Sequence, residues 1–207
     1  MAKAKLYGVI TGDIVHSRMA PDLWKPHLEE VLNQFGIVSK DWDIFRGDSF
    51  QLILDPSQIL QAAISLRIKL ICLDASMDAR MGMGIGTVQS PSTKVIESQG
   101  EAFIKSGEAF ESLREDVLWK FKGQSSFFDD TLNLVLSLTN ELIIKFSANT
   151  AEAVYFSINN PEFSQETLGK KIGINQSAIS KRLKRGHWLE IHEVLNWYKK
   201  HHPHLTQ

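Results

Sequence analysis

The sequence predicts an α+β protein: an antiparallel sheet with helices in the N-terminal half, then a small all-α region. Two observations predict it. Short β-rich runs alternate with helical periodicity up to about residue 122, and after "KGQSS" (122–126) no convincing strand pattern remains. The chain has 207 residues, which fits one large domain or two small ones, and a boundary near 124 divides it into regions 1–124 and 125–207.

Taken in order, residues 5–12 read as a strand whose apolar run stops at Gly12-Asp13, placing the Asp13 carboxylate at a strand end. Residues 19–35 read as an amphipathic helix in which Pro26 removes an internal hydrogen bond, predicting an irregular or late start. "WDIFRG" and "SFQLIL" form a hairpin around Gly47-Asp48. Residues 57–74 are helical, with Ile59, Leu60, Ala63, Leu66, Ile68, Leu70 and Ile71 on the apolar positions. "ARMGMGIGTV" is a strand, 100–115 a helix and "VLWKF" a last strand. The order β-α-β-β-α-β-α-β is the ferredoxin-like pattern with one extra strand, and predicts helices on one face of the sheet. Gly82, Gly84 and Gly86 lie in G-x-G-x-G spacing inside a strand, so they do not form a dinucleotide fingerprint. Alternation puts all three on one sheet face, bare for a close helix or a ligand.

Composition excludes several classes. At 43% apolar and 23% charged residues the chain is ordinary for a globular protein, and its net charge of −1 gives no global argument for nucleic acid. Cys72 stands alone in "LRIKLICLD", so it forms no intramolecular disulfide and reads as a buried thiol. "MAKAKLYGVI" is charged and soon enters a strand, unlike a signal peptide, and no run approaches a membrane-spanning length. A cytoplasmic protein is expected.

Asp13 and Asp48 converge if the first three strands are neighbours. Two adjacent carboxylates repel, and a cation is one remedy; Mg²⁺ suits hard oxygen ligands and substrate phosphates. "GDI" (12–14), "RGDSF" (46–50), "RMGMGIGTV" (80–88) and "GEAFIKSGEAFESL" (100–113) occur in the order seen in class III nucleotidyl cyclases, whose catalytic domain is a palm-type ferredoxin-like fold. The match is closer to the SatD family, which the stretches "GDIVHSR" and "GDSFQ" resemble over roughly residues 5–120. The resemblance implies Asp13 and Asp48 as metal carboxylates, with the Ile14 backbone carbonyl as a third ligand. Gly12, Arg18, Arg46 and Gly47 are then the nucleotide-phosphate residues, with Lys105 as a further source of positive charge. At the positions where cyclases carry an Asn and a catalytic Arg this chain has Ile104 and Glu108, which argues against standard cyclase turnover.

Residues 164–186, "SQETLGKKIGINQSAISKRLKRG", resemble a bacterial helix-turn-helix. Leu168, Ile172, Ile174, Ile179 and Leu183 are spaced to pack two short helices, with Gly169 at their close approach, Gly173 at the turn and Ser164 as N-cap. Between residues 170 and 185 lie six basic residues and no acidic one. Gln176, Ser177, Ser180 and Lys181 stand early in the second helix, where base edges come within reach, and Arg182, Lys184 and Arg185 add phosphate-neutralising charge. The preceding helix, 127–146, is apolar nearly all round and is expected to be buried between domains or against its copy in a homodimer. His201, His202 and His204 form a terminal cluster that reads as solvated. Three readings remain: a DNA-binding regulator whose palm binds a metal and nucleotide, a nucleotidyl-transfer enzyme, and a palm that serves only as a dimerisation scaffold.

Overall fold

The computed structural model describes residues 4–19, 21–74, 76–89 and 94–203. Among them the chain is α+β. The N-terminal elements are β1 (Leu6–Val15), α1 (Pro21–Leu32), β2 (Trp42–Phe45), β3 (Ser49–Leu54), α2 (Ile59–Leu73), β4 (Asp78–Thr87), α3 (Glu101–Glu111) and β5 (Trp119–Lys122). Five helices follow: α4 (Ser126–Ile143), α5 (Ala148–Asn159), α6 (Gln165–Ile172), α7 (Gln176–Arg185) and α8 (Trp188–His201). No described helix is long and apolar enough to cross a membrane.

The five strands form one sheet in the order β2-β3-β1-β4-β5. The first four pair antiparallel, but β5 joins β4 in parallel, with Met81 opposite Trp119. The sheet is therefore mixed, not wholly antiparallel as expected. The cause is α3, a helical crossover that returns the chain in the direction of β4, as parallel neighbours require.

Strand alternation divides the sheet into two buried faces. Ile10, Ile14, Phe50, Leu52, Ala79, Met81, Met83 and Ile85 share a core with Trp24, Leu28 and Val31 of α1 and most of α2. On the opposite face, the absent side chains of Gly82 and Gly84 leave room for α3: an added Cβ would lie 2.2 Å from the Ser106 carbonyl oxygen or 2.4 Å from the Ser106 nitrogen. Helices thus cover both faces, correcting the one-face expectation, because the glycine lane provides a second docking surface.

Pro26 lies inside α1, which begins at Pro21 after a 3-10 turn at Ser17–Met19, so the helix does not start late. Helix α2 is buried nearly all round, since α5 packs on its far side. Gln34 donates to Tyr155 Oη at 2.8 Å, Tyr198 Oη donates to the Pro56 carbonyl at 2.8 Å, and the Phe128 and Trp197 rings stack. One buried cluster therefore runs across residue 124.

Asn133 of α4 finishes the β5 edge by accepting from the Phe121 N–H at 2.8 Å and donating to its carbonyl at 2.9 Å. That pairing removes an open strand edge. The side of α4 turned away from the sheet stays in solvent. Phe128, Leu132, Leu136 and Ile143 are buried, whereas Phe127, Leu134 and Leu138 are 81%, 62% and 62% exposed. Within one chain the helix is covered on one side only, by β5 and α8, and its apolar far side is left open.

Candidate functional site

Asp13 is not at the end of a strand. β1 continues to Val15, and Asp13 sits opposite Ser49 on β3 and Arg80 on β4. That register delivers a guanidinium to the carboxylate: Arg80 Nε donates to Oδ1 at 3.0 Å and Nη2 to Oδ2 at 2.6 Å. The hydrogen bonds that Arg80 donates to Asp13 raise the Arg80 pKa, partial burial opposes the rise, and the charges of Asp13 and Asp48 add to it. The guanidinium also lies 5.7 Å from the centre of the Phe110 ring.

Asp48 closes the hairpin loop Arg46-Gly47-Asp48, in which Arg46 (φ 52°) and Gly47 (φ 94°) are both left-handed. Its Oδ2 accepts from Ser17 Oγ at 2.5 Å, and the Ser17 carbonyl accepts from Trp24 Nε1 at 2.9 Å. These bonds clip the turn after β1 to the hairpin. Between them lies a cleft of about 420 Å³ lined by Ser17, Arg18, Trp24, Arg46, Gly47 and Asp48. Arg18, Arg46 and Gly47, named from the sequence as phosphate residues, meet Asp48 there. Both arginines are exposed, and neither has an ion-pair partner among the described residues.

Two sequence-named residues stand elsewhere. A Cβ on Gly12 would meet the Arg80 carbonyl at 2.6 Å and the Phe50 ring at 2.7 Å, so this glycine serves close packing on the core face rather than the cleft. Ile14 is 3% exposed, with its side chain in the core and its backbone one residue beyond the last β1–β3 pair. The arrangement does not fit Mg²⁺ on Asp13 and Asp48 as expected. Both Asp13 oxygens accept from Arg80 and one Asp48 oxygen accepts from Ser17, so an ion at Asp13 would sit beside a guanidinium of like charge. Lys105 is also engaged elsewhere, on Glu101 at 2.7 Å, and this bond is the main reason the Glu101 pKa is lowered. Ile104 is 62% exposed, and Glu108 pairs with Lys122 at 2.6 Å.

The second constellation is built by α6 and α7. Ser164 Oγ accepts from the Thr167 N–H at 3.1 Å and Asn175 Oδ1 from the Ala178 N–H at 2.8 Å, capping the two helices. Gly173 turns the chain between them at φ 82°, and the Ile174 carbonyl lies 2.6 Å from where a Gly169 side chain would start. Ile179 and Leu183 are buried. Gln176, Ser177, Ser180, Lys181, Lys184 and Arg185 are all exposed, and at these spacings they make one continuous stripe. Arg182 is different: it turns inward and pairs with Glu152 of α5 at 2.8 Å. It is only partly exposed, so less of its charge faces outward than that of Lys181, Lys184 or Arg185. His201 and His202 each contact a carbonyl of their own helix, at Trp197 and Lys199, and His204 lies outside the described residues.

Protein-family models, curated proteins and solved structures contain no match to this chain.

Chemically, the two places differ. The cleft offers two guanidiniums, unpaired among the described residues, beside a carboxylate, and so is suited to hold an anion. Helix α7 offers amide, hydroxyl and cationic groups on one convex surface with no acidic residue on it.

Sequence reasoning missed Arg80, Ser17 and Glu152. The strand register that opposes Arg80 to Asp13 was the signal available for the first; the other two depend on tertiary packing alone.

Proposed function

We propose that the protein is a DNA-binding regulator in which α6 and α7 act as a helix-turn-helix and the N-terminal region binds a nucleotide-type anion in the Arg18–Arg46 cleft. The exposed stripe of α7 carries this reading. Its inward side is apolar, so the stripe is rigidly presented, and Lys181, Lys184 and Arg185 supply the charge that phosphates attract. Gln176, Ser177 and Ser180 occupy the first turns, which reach base edges in a major groove. The order β2-β3-β1-β4 supports a ferredoxin-like palm of the kind found in the SatD family and nucleotidyl cyclases. The exposed Phe127, Leu134 and Leu138 of α4 support self-association, which would let two copies of α7 span two half-sites. Ile104 and Glu108 support a binding role for the palm over nucleotidyl transfer, since a carboxylate repels a triphosphate where a guanidinium would hold it.

Titrating a fluorescent duplex tests the reading. Gln176→Ala is expected to relax discrimination between duplex sequences by about 1–3 kcal/mol while leaving non-specific binding unchanged. Equal discrimination by wild type and variant would remove α7 from the role of base reader.

A further inference from the structure

The geometry at Asp13 points to a carboxylate site with its own built-in cation. We propose that Arg80 occupies the position on Asp13 that a divalent metal would take, so that Asp13 and the neighbouring cleft at Asp48 work without a metal. The proposal rests on reading the cleft as an anion site, and its test is separable from that reading.

Three observations carry it. The fork of Arg80 meets both Asp13 oxygens, the geometry in which a guanidinium binds a carboxylate best. The pairing is fixed by register, since the two residues stand directly opposite on adjacent strands, and the Phe110 ring backs the guanidinium. Asp48, the second acidic group, also acts on Arg80 through its charge while its own oxygen is held by Ser17. A dication arriving at Asp13 would meet a like charge already bound to both carboxylate oxygens, weakening either its own hold or that of Arg80. Mg²⁺ also sheds its waters reluctantly, which favours the resident guanidinium further. Arg18 and Arg46 then remain to meet the oxygens of an anion directly.

Mn²⁺ titrations followed by electron paramagnetic resonance test this on wild type, Asp13→Asn and Arg80→Gln, with circular dichroism to confirm that each is folded. Wild type is expected to leave the free-Mn²⁺ signal as it is in buffer. Arg80→Gln is expected to bind Mn²⁺ roughly tenfold or more tightly than wild type, because the competing charge is gone. Saturable Mn²⁺ binding by wild type that Asp13→Asn abolishes would overturn the proposal. So would a folded Arg80→Gln that gains no affinity, since Arg80 would then not be what keeps the metal out. Calorimetry with ATP separates the cleft reading. Equal binding in EDTA and in Mg²⁺ agrees with both readings, and binding only in Mg²⁺ contradicts metal independence. Binding in neither buffer removes the nucleotide reading, while the Mn²⁺ result still decides the role of Arg80.

Discussion

At the scale of single residues, the buried charges among the described residues, Arg67 and Asp78, balance each other. Arg67 is fully buried in α2, binds both oxygens of Asp78 at 2.8 and 2.7 Å, and lies 4.5 Å from the centre of the Trp119 ring. Asp78→Asn would leave that guanidinium buried beside a neutral amide, and is expected to cost about 3–5 kcal/mol in urea unfolding. The partly exposed Arg182–Glu152 pair is worth less. Arg182→Ala is expected to lose on the order of 1 kcal/mol of stability and to leave the salt dependence of DNA binding unchanged. These partners were hard to read in the sequence. Asp13 and Asp48 stood out because each follows a glycine, whereas Arg80 lies 67 positions from Asp13 and becomes its neighbour only through register. Arg67 sat unnoticed in an apolar helix, since no local pattern tells a buried arginine from an exposed one.

At the scale of elements, the glycines separate into two kinds. Gly84 is needed for space: Gly84→Ala would drive a Cβ to 2.4 Å from the Ser106 nitrogen and 2.5 Å from the Ala102 carbonyl oxygen. The loss expected in a denaturation curve is about 1–3 kcal/mol, since α3 must lift from the sheet. Gly173 is needed for conformation, because its surroundings are open and its φ is 82°. Both were legible as spacing, the first through strand alternation and the second through the turn between two short periodic helices. The parallel pairing of β5 was not legible, because strand direction depends on where the α3 crossover returns the chain. The one-sided burial of α4 escaped for a related reason: an apolar helix shows which side chains want cover, not which neighbours reach them.

At the scale of the whole molecule, a single core joins the sheet to the helices, and besides the Arg67–Asp78 pair a thiol and two phenols lie in or against it. Burial pushes the Cys72 thiol and the Tyr155 hydroxyl up to about 12, and the Tyr198 hydroxyl well above its ordinary range. Below about pH 7.5 all three stay protonated whether the chain is folded or not, so they add no slope there. Above it the unfolded chain releases protons that the folded chain keeps, first from Cys72 and then from the tyrosines, so stability falls as pH rises from about 7.5 to about 12. Urea midpoints measured across that range should decline, and a flat profile would mean these groups are solvated in the native protein. The same core holds α7 rigid, with Ile179 and Leu183 beneath the stripe that faces outward. Duplex binding as a function of salt tests that stripe most directly, on wild type and on Lys181→Ala/Arg185→Ala. The account predicts that wild type binds and that the double variant binds more weakly, its log–log salt slope shallower by about 2. A wild type that ignores duplex DNA at low salt, or a double variant with the wild-type slope, would contradict it.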